Sequence, residues 1–332
     1  TTAQVSSGGD GYGDTLINIE NIIGTSGNDT LTGNSGNNVI EGRFGADKID
    51  AGTGIDTVSY ASSVAGVDVN LGITTAQVNG IADDYGDILL NIENIIGSKY
   101  NDKLKGNSGN NVITGGVGAD RIDGSTGTDT VSYATSAAGV NVNLGITSAQ
   151  SGGDAQGDTL ISIENIIGTP LNDTFISSSV ANKIDGGLGI DSVSYASSTA
   201  AVVVNLGVTT AQSGGHATGD TFISIENIIG SAYSDTLTGN TENNILTGGA
   251  GADKIDGAAG IDTVSYSGSN AAVNVNLAVT TAQSGGHAAG DTLFNIENII
   301  GSSYSDTLKG TSIANIINGG LGNDKMTGGS GA

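Results

Sequence analysis

A nine-residue period is the feature that most restricts how this chain can fold. The segments "GGVGADRID" (115–123), "GGAGADKID" (248–256) and "GRFGADKID" (42–50) share glycine at the first and fourth places, aspartate at the sixth and an aliphatic residue at the eighth. A nonapeptide is too short for a helix with its connections. It accommodates a glycine turn followed by a three-residue strand, in which alternate side chains face opposite sides. We therefore expect one inward-facing aliphatic side chain per unit.

Eighteen complete units follow this pattern, in five groups of three or four. The eighth place is apolar in all 18, whereas the sixth place is Asp in 13 and Asn in five. The five asparagines always occupy the second unit of a group, at Asn38, Asn111, Asn182, Asn244 and Asn315. The eighth-place residues predict a narrow apolar core.

A longer period contains these groups. The motif "IENIIG" begins at Ile19, Ile92, Ile163, Ile225 and Ile296, with spacings of 73, 71, 62 and 71 residues. We divide the chain into five copies, at 1–73, 74–146, 147–208 (shortened), 209–279 and 280–332 (truncated). The chain starts and stops inside a repeat, so we expect a segment of a longer protein. No Pro/Ser-rich linker separates the copies, which favours one continuous structure.

The spacers between groups of nonapeptides also have strand-like sequences. "VDVNL" (67–71) alternates like a strand, and "LINIENIIG" (16–24) is a second β-type segment. The first spacer, 60–96, has the length of about two 18-residue coils, so we expect it to continue the repetitive structure with longer loops. The third copy lacks one nonapeptide, and we expect the stacking of units to change sides or break near 177–185.

Composition limits the partners of such a chain. Of the 332 residues 56 are Gly, aromatic residues make up 4%, and the formal net charge is -24. This charge excludes nucleic acid and anionic lipid as natural partners and favours cations. There is no Cys, hence no disulfide, and no apolar run is long enough to span a membrane.

The units resemble the glycine-rich nonapeptide of RTX (haemolysin-type) proteins, G-G-x-G-x-D-x-U-x. The resemblance implies an all-β fold, a parallel β-roll or β-solenoid stabilised by several calcium ions, with two units in each 18-residue coil. It also implies a bacterial protein exported by a type I system and folded outside the cell. Calcium accepts six to eight oxygen ligands in flexible geometry, which suits stacked turns of carboxylates and backbone carbonyls.

The resemblance places calcium ligands at the sixth position of the units. The aspartates are Asp29, Asp47, Asp56, Asp102, Asp120, Asp129, Asp173, Asp191, Asp235, Asp253, Asp262, Asp306 and Asp324, and the weaker or altered asparagine ligands are Asn38, Asn111 and Asn244. Units two apart stack, which pairs Asp29 with Asp47, Asn38 with Asp56, Asp102 with Asp120, Asn111 with Asp129, Asp235 with Asp253, Asn244 with Asp262 and Asp306 with Asp324. The alternative is a solvated turn, where Asp is common. That alternative is stronger for first units such as "GSKYND", which lack the second and third glycines.

Other polar residues are weaker candidates for chemistry. His216 and His287 occupy matched places in spacer loops, where the third copy has Asp154, and loop residues are the simpler interpretation. The glutamate of "IENIIG" recurs once in every copy, as a scaffold residue does, whereas an active site usually occurs once. We therefore expect no enzymatic activity from this segment.

The leading functional hypothesis is structural: a repeat region of an exported bacterial surface protein, such as an adhesin stalk, a surface layer or a filament, with self-association into fibres or layers. The alternative is a calcium-dependent secretion and folding module of an exported enzyme or toxin. A third interpretation is binding of ice or polysaccharide by a flat Thr/Asn face, suggested by "TLTGN" at 30–34 and 236–240.

Overall fold

The computed structural model describes residues 19–78, 80 and 82–329, together with the strands Thr2–Ala3 and Thr15–Leu16. The chain forms two compact units, Thr1–Pro170 and Leu171–Ala332. Helical structure within the described residues is limited to three 3-10 turns, at Gly153–Ala155, Gly215–Ala217 and Gly286–Ala288, and none is long and apolar enough to cross a membrane. The predicted all-β class is therefore confirmed.

The first compact unit, Thr1–Pro170, consists of very short strands. They are β1 (Thr2–Ala3), β2 (Thr15–Leu16), β3 (Asn21–Ile23), β4 (Thr30–Thr32), β5 (Val39–Glu41), β6 (Lys48–Asp50), β7 (Thr57–Ser59), β8 (Asp68–Asn70), β9 (Ile88–Leu90), β10 (Asn94–Ile96), β11 (Lys103–Lys105), β12 (Val112–Thr114), β13 (Arg121–Asp123), β14 (Thr130–Ser132), β15 (Asn141–Asn143), β16 (Thr159–Ile161) and β17 (Asn165–Ile167).

The second compact unit, Leu171–Ala332, also consists of very short strands. Its strands are β18 (Thr174–Ile176), β19 (Lys183–Asp185), β20 (Ser192–Ser194), β21 (Val203–Asn205), β22 (Thr221–Ile223), β23 (Asn227–Ile229), β24 (Thr236–Thr238), β25 (Ile245–Thr247), β26 (Lys254–Asp256), β27 (Thr263–Ser265), β28 (Asn274–Asn276), β29 (Thr292–Phe294), β30 (Asn298–Ile300), β31 (Thr307–Lys309), β32 (Ile317–Asn318) and β33 (Lys325–Thr327).

Parallel pairing between alternate units builds the walls. Strand β4 pairs with β6 and β5 pairs with β7, so that residue i faces residue i + 18, as Leu31 faces Ile49. In the compact unit Thr1–Pro170, one wall carries β3, β5, β7, β10, β12, β14 and β17 in order. The opposite wall carries β4-β6-β9 and β8-β11-β13-β16. This is the predicted coil of two nonapeptides. Strands β1 and β2 form an antiparallel pair.

The eighth-place side chains form the core. Sixteen of the 18 are buried, including Ile40, Ile49 and Ile122 at 0% exposure. The two exceptions belong to the last two units: Ile317 is half-buried and Met326 is 51% exposed. The core of inward-facing aliphatic side chains predicted from the sequence is therefore confirmed. Its burial is incomplete only in the last two nonapeptides.

The turns explain the glycine content. In the third and fourth units the chain adopts positive φ at the second and fourth places, as at Gly116 (φ 94°) and Gly118 (φ 148°). A Cβ at Gly118 would also lie 2.7 Å from the backbone oxygen of Tyr100, in the turn stacked against it. Glycine is needed there both for the dihedral angle and for close contact between stacked turns.

The spacers join the same walls, but one expectation about them is wrong. Strand β10 pairs directly with β7, so the 37-residue spacer adds one layer to that wall and not two. On the opposite wall β9 pairs with β6 while β8 pairs with β11. Between β8 and β9 the side-chain amide of Gln77 accepts the backbone N–H of Asn70 at 3.0 Å and donates to its backbone oxygen at 3.1 Å. We call this divergence of β8 and β9 the fork.

The missing nonapeptide changes the stacking, as expected. In the fourth copy the first nonapeptide, β24, shares a wall with β26 and with β29, the strand that precedes "IENIIG". In the third copy the first nonapeptide, β18, shares a wall with β20 and with β23, the strand within "IENIIG". Deleting nine residues removes half a coil, so the units that follow exchange walls.

We predict that shortening a fully buried eighth-place side chain will lower the free energy of unfolding. Replacing Ile122 by Ala should destabilise the calcium-saturated chain by about 2–5 kcal/mol, because it leaves a cavity where the core is one side chain wide. Urea unfolding followed by circular dichroism measures this. Met326→Ala, at a half-exposed eighth place, is the matched control and should change stability by about 0.5 kcal/mol or less. Equal effects of the two substitutions would contradict the eighth-place side chains as the core.

Candidate metal sites along the stacked turns

The sixth-place residues of stacked units form a hydrogen-bonded ladder. The backbone N–H of Asp29 donates to Oδ1 of Asp47 at 2.8 Å, and that of Asn38 donates to Oδ1 of Asp56 at 2.7 Å. The same bond joins Asp102 to Asp120, Asn111 to Asp129, Asp173 to Asp191, Asp235 to Asp253, Asn244 to Asp262 and Asp306 to Asp324. All the stacked pairs predicted from the sequence are thus brought together.

The second carboxylate oxygen separates the units into classes. In the third and fourth units of the first four copies Oδ2 is buried and has no hydrogen-bond partner, whereas Asp324 in the fifth copy is half-buried. The residues with this unmatched oxygen are Asp47, Asp56, Asp120, Asp129, Asp191, Asp253 and Asp262. A buried oxygen without a donor is costly, and for an ionised carboxylate the cost is larger still. Each of these turns therefore requires either a proton or a cation.

In six of these seven turns a first-place glycine keeps space beside the unmatched oxygen, whereas Ala51 holds this place before Asp56. A Cβ added at Gly124 would lie 2.5 Å from Oδ2 of Asp129, and one added at Gly257 would lie 2.5 Å from Oδ2 of Asp262. Any side chain at these glycines would press on the carboxylate. The glycine is thus tied to the aspartate five residues later as well as to the turn.

First-unit aspartates are already satisfied. Oδ2 of Asp102 accepts the backbone N–H of Ser98 at 2.6 Å, and its Oδ1 accepts the Ser98 hydroxyl at 2.8 Å. The same Ser-Asp arrangement recurs at Asp235 and Asp306, and Thr25 provides it for Asp29. A Ser or Thr at the second place therefore closes these turns where the glycines of the motif are absent.

Second-unit asparagines are also satisfied. Oδ1 of Asn111 accepts the backbone N–H of Asn107 at 2.9 Å, while its Nδ2 donates to the backbone oxygen of Glu93 at 2.6 Å. Asn38, Asn244 and Asn315 make the same pair of bonds. An amide carries both a donor and an acceptor, so it closes the turn without net charge.

The donor set fits a hard cation held partly by the backbone. No three carboxylate or imidazole side chains lie close enough together to hold a metal within the described part of the chain. A cation here would use the unmatched oxygens together with backbone carbonyls. Calcium accepts such mixed oxygen sets, and Asp47, Asp120 and Asp253 are the third-unit residues that would hold it. Which sixth-place residues bind calcium remains a prediction.

Burial shifts these carboxylates toward the protonated form. It raises the pKa of Asp47 to about 6 and that of Asp120 to about 8, and the negative charges of neighbouring aspartates add to the effect. The pKa values of Asp191 and Asp253 rise to about 7 for the same reasons. A bound cation reverses this preference, so binding near neutral pH releases protons.

Each ladder ends on a spacer residue that the sequence analysis missed. The backbone N–H of Asp47 donates to Oδ1 of Asp87 at 2.8 Å, and Oδ2 of Asp87 accepts the buried Tyr60 hydroxyl at 3.0 Å. On the other wall the N–H of Asp56 donates to Glu93 at 2.9 Å. Corresponding Tyr-Asp pairs are Tyr133 with Asp158, Tyr195 with Asp220 and Tyr266 with Asp291.

A sequence signal for these caps exists. "GDILL" (86–90) and "IENII" (92–96) both carry an acidic residue two places before an inward aliphatic, which is the second half of the nonapeptide. The glycine half is missing, so the period of nine does not reveal them.

The arrangement defines a class of protein: a parallel β-roll whose stacked turns bury carboxylates with an unmatched oxygen. Four segments, 23–58, 96–131, 229–264 and 300–332, match the family model of the RTX calcium-binding nonapeptide repeat. These segments are RTX repeats, as the resemblance indicated, and repeats of this family bind calcium. A comparison with curated proteins finds no match.

We predict that stability without calcium falls as pH rises. The folded pKa values lie above the ordinary value of 3.8 and reach about 8 at Asp120, so the folded chain binds more protons than the unfolded one between these limits. The free energy of unfolding of calcium-free protein should therefore decrease from about pH 4 to about pH 8. Thermal unfolding after removal of calcium on a chelating resin tests this.

General repulsion in an acidic chain has the same sign, so a charge control is needed. Asp120→Asn should flatten the pH dependence, whereas Glu242→Gln, which removes an exposed charge, should leave it nearly unchanged. Calcium-free stability that increases over this pH range would contradict the buried-carboxylate account.

We predict that the two aspartates of one stacked pair differ in calcium binding. Asp120→Asn should weaken calcium binding at its site by about tenfold or more, because ligand charge tunes such affinities over decades. Asp102→Asn is the matched control, since both oxygens of Asp102 already have protein donors, and it should cost calcium affinity much less. Isothermal titration calorimetry of the full chain compares them. Equal losses would show that the unmatched oxygen does not mark the site.

Proposed function

We propose that this segment is the calcium-stabilised structural repeat region of an exported bacterial surface protein, in an adhesin stalk, a surface layer or an extracellular filament. The observation that carries the proposal is the series of buried carboxylate oxygens without protein partners, from Asp47 in the first copy to Asp262 in the fourth. The same element recurs from copy to copy. Recurrence of this kind suits a spacer whose length matters.

Calcium then controls when the chain folds. At low calcium the buried carboxylates oppose folding, and an acidic, glycine-rich chain stays extended enough to pass through an export channel. At the millimolar calcium typical of extracellular fluids weak sites fill, and their binding free energy contributes to folding. Folding thereby depends on the higher calcium concentration outside the cell.

We propose no enzymatic role for the segment. The residues matched with His216 are Asp83, Asp154 and His287. At Asp154, His216 and His287 the backbone N–H donates to a serine hydroxyl, at 3.0 to 3.1 Å. The backbone contact stays the same while the side chain changes. This supports the interpretation of both histidines as loop residues.

The second candidate function is a calcium-dependent secretion and folding module of an exported enzyme or toxin. It uses the same sites and the same coupling, and the resemblance to RTX repeats supports it equally. The two proposals differ in what they predict for the isolated segment. A structural region should assemble into fibres or layers when calcium is added, whereas a folding module should remain monomeric.

We predict that circular dichroism will show calcium-dependent β-structure. Chelator-treated protein at pH 8 should lose most of its β-signal, and titration with calcium to millimolar concentration should restore it, because the turns cannot bury ionised carboxylates unaided. Light scattering in the same titration separates assembly from folding. A β-spectrum that is unchanged after full removal of calcium would refute calcium-coupled folding.

A further inference from the structure

The fork lies in the first spacer, 60–96, and buries a carboxylate where the later spacers bury a methyl group. Asp84 lies three residues before the ladder cap Asp87, and the residues three before the other caps are Ala155, Ala217 and Ala288. All four side chains are 0% exposed. The first spacer therefore places a charge in a space that elsewhere holds only an alanine.

A second acidic residue accompanies Asp84 and is likewise confined to the first spacer. Asp68, the first residue of β8, corresponds to Asn141, Val203 and Asn274 in the later spacers. Its backbone N–H donates to Oδ2 of Asp84 at 3.2 Å, and its negative charge acts on Asp84. Both acidic residues are unique to the first spacer.

One oxygen of Asp84 has no partner. Its Oδ1 is buried and unmatched by any donor. Lys103 forms an ion pair with Asp68 at 3.4 Å with its side chain 67% exposed, and among the described residues no ion pair reaches Asp84. Among the described residues, no positively charged side chain thus compensates the buried charge of Asp84.

The electrostatic surroundings increase the demand for a cation. The negative charges of Asp87 and Asp102 both interact with Asp84. Each of those two carboxylates already has its own donors, Tyr60 and Ser98 among them. Both carboxylates therefore repel an ionised Asp84, and neither shares a hydrogen bond with it.

We propose that the fork between β8 and β9 holds an additional calcium ion, bound by Oδ1 of Asp84 and the carboxylate of Asp68, with backbone carbonyls and water completing the ligands. The site uses no sixth-place residue and is separate from the stacked turns. Two carboxylates with neutral oxygens form a hard-ligand set of the kind that calcium prefers. The later spacers lack both carboxylates and have no such site.

The test converts this part of the first spacer into that of the second. The double variant Asp68→Asn with Asp84→Ala introduces the residues found at Asn141 and Ala155, so it is expected to fold. Calcium bound per full-length chain is measured by equilibrium dialysis and atomic emission, and thermal unfolding is recorded with and without calcium. The single variant Asp84→Asn, which keeps the side-chain shape, repeats both measurements.

The variants should bind one calcium ion fewer per chain and should show a smaller rise in melting temperature on adding calcium. Without calcium they should melt higher than the natural sequence, because an unpaired buried carboxylate has been removed. An unchanged ion count with an unchanged calcium-induced rise would overturn the proposal and leave Asp84 a buried, protonated side chain.

The ladder variant Asp120→Asn separates this proposal from the proposed function. If Asp120→Asn loses calcium and the fork variants do not, only the fork site is refuted. If the natural chain binds no calcium under any condition, the proposed function and the fork site fail together.

Discussion

The carboxylate at the sixth place does two jobs, and the β-roll depends on both. One oxygen accepts a backbone N–H from the coil beside it and thereby fixes the 18-residue register, as from Asp102 to Asp120. The other oxygen is left buried without a donor in the third and fourth units. The same side chain therefore fixes the register and leaves a buried oxygen that needs a cation. An ionised aspartate at the sixth place always leaves this second oxygen, which must be satisfied either by a cation or by another group of the protein.

The copies provide such a partner in their first two units. A serine or threonine satisfies the first-unit aspartate, and an asparagine closes the second turn with its own amide, as Ser98 and Asn111 do. These turns are complete within the protein. Half of each four-unit group is thus independent of a cation, and the cation demand is concentrated in the other half. The departures from the glycine motif are accordingly alternative ways of closing a turn.

The nonapeptides were predictable and the spacers were not, for a physical reason. Local spacing fixes the turn, the strand and the inward aliphatic, so the core at residues such as Ile122 and the stacked pairs followed from the sequence. The spacer folds by long-range contacts instead: Tyr60 reaches Asp87, and Gln77 holds Asn70. Length alone suggested two coils for the first spacer, but pairing of β7 with β10 makes it one layer. The spacing of residues does not reveal a chain that folds back on itself.

The caps decide how far a row of unmatched oxygens can extend. Asp87 accepts the ladder hydrogen bond from Asp47 with one oxygen and the Tyr60 hydroxyl with the other, so it continues the register without adding cation demand. Tyr133, Tyr195 and Tyr266 do the same for the caps of the following copies. The unmatched oxygens are therefore grouped copy by copy. Within the first copy the two unmatched oxygens belong to opposite walls, since Asp47 precedes β6 and Asp56 precedes β7. Further copies therefore add length without extending any single row of unmatched oxygens.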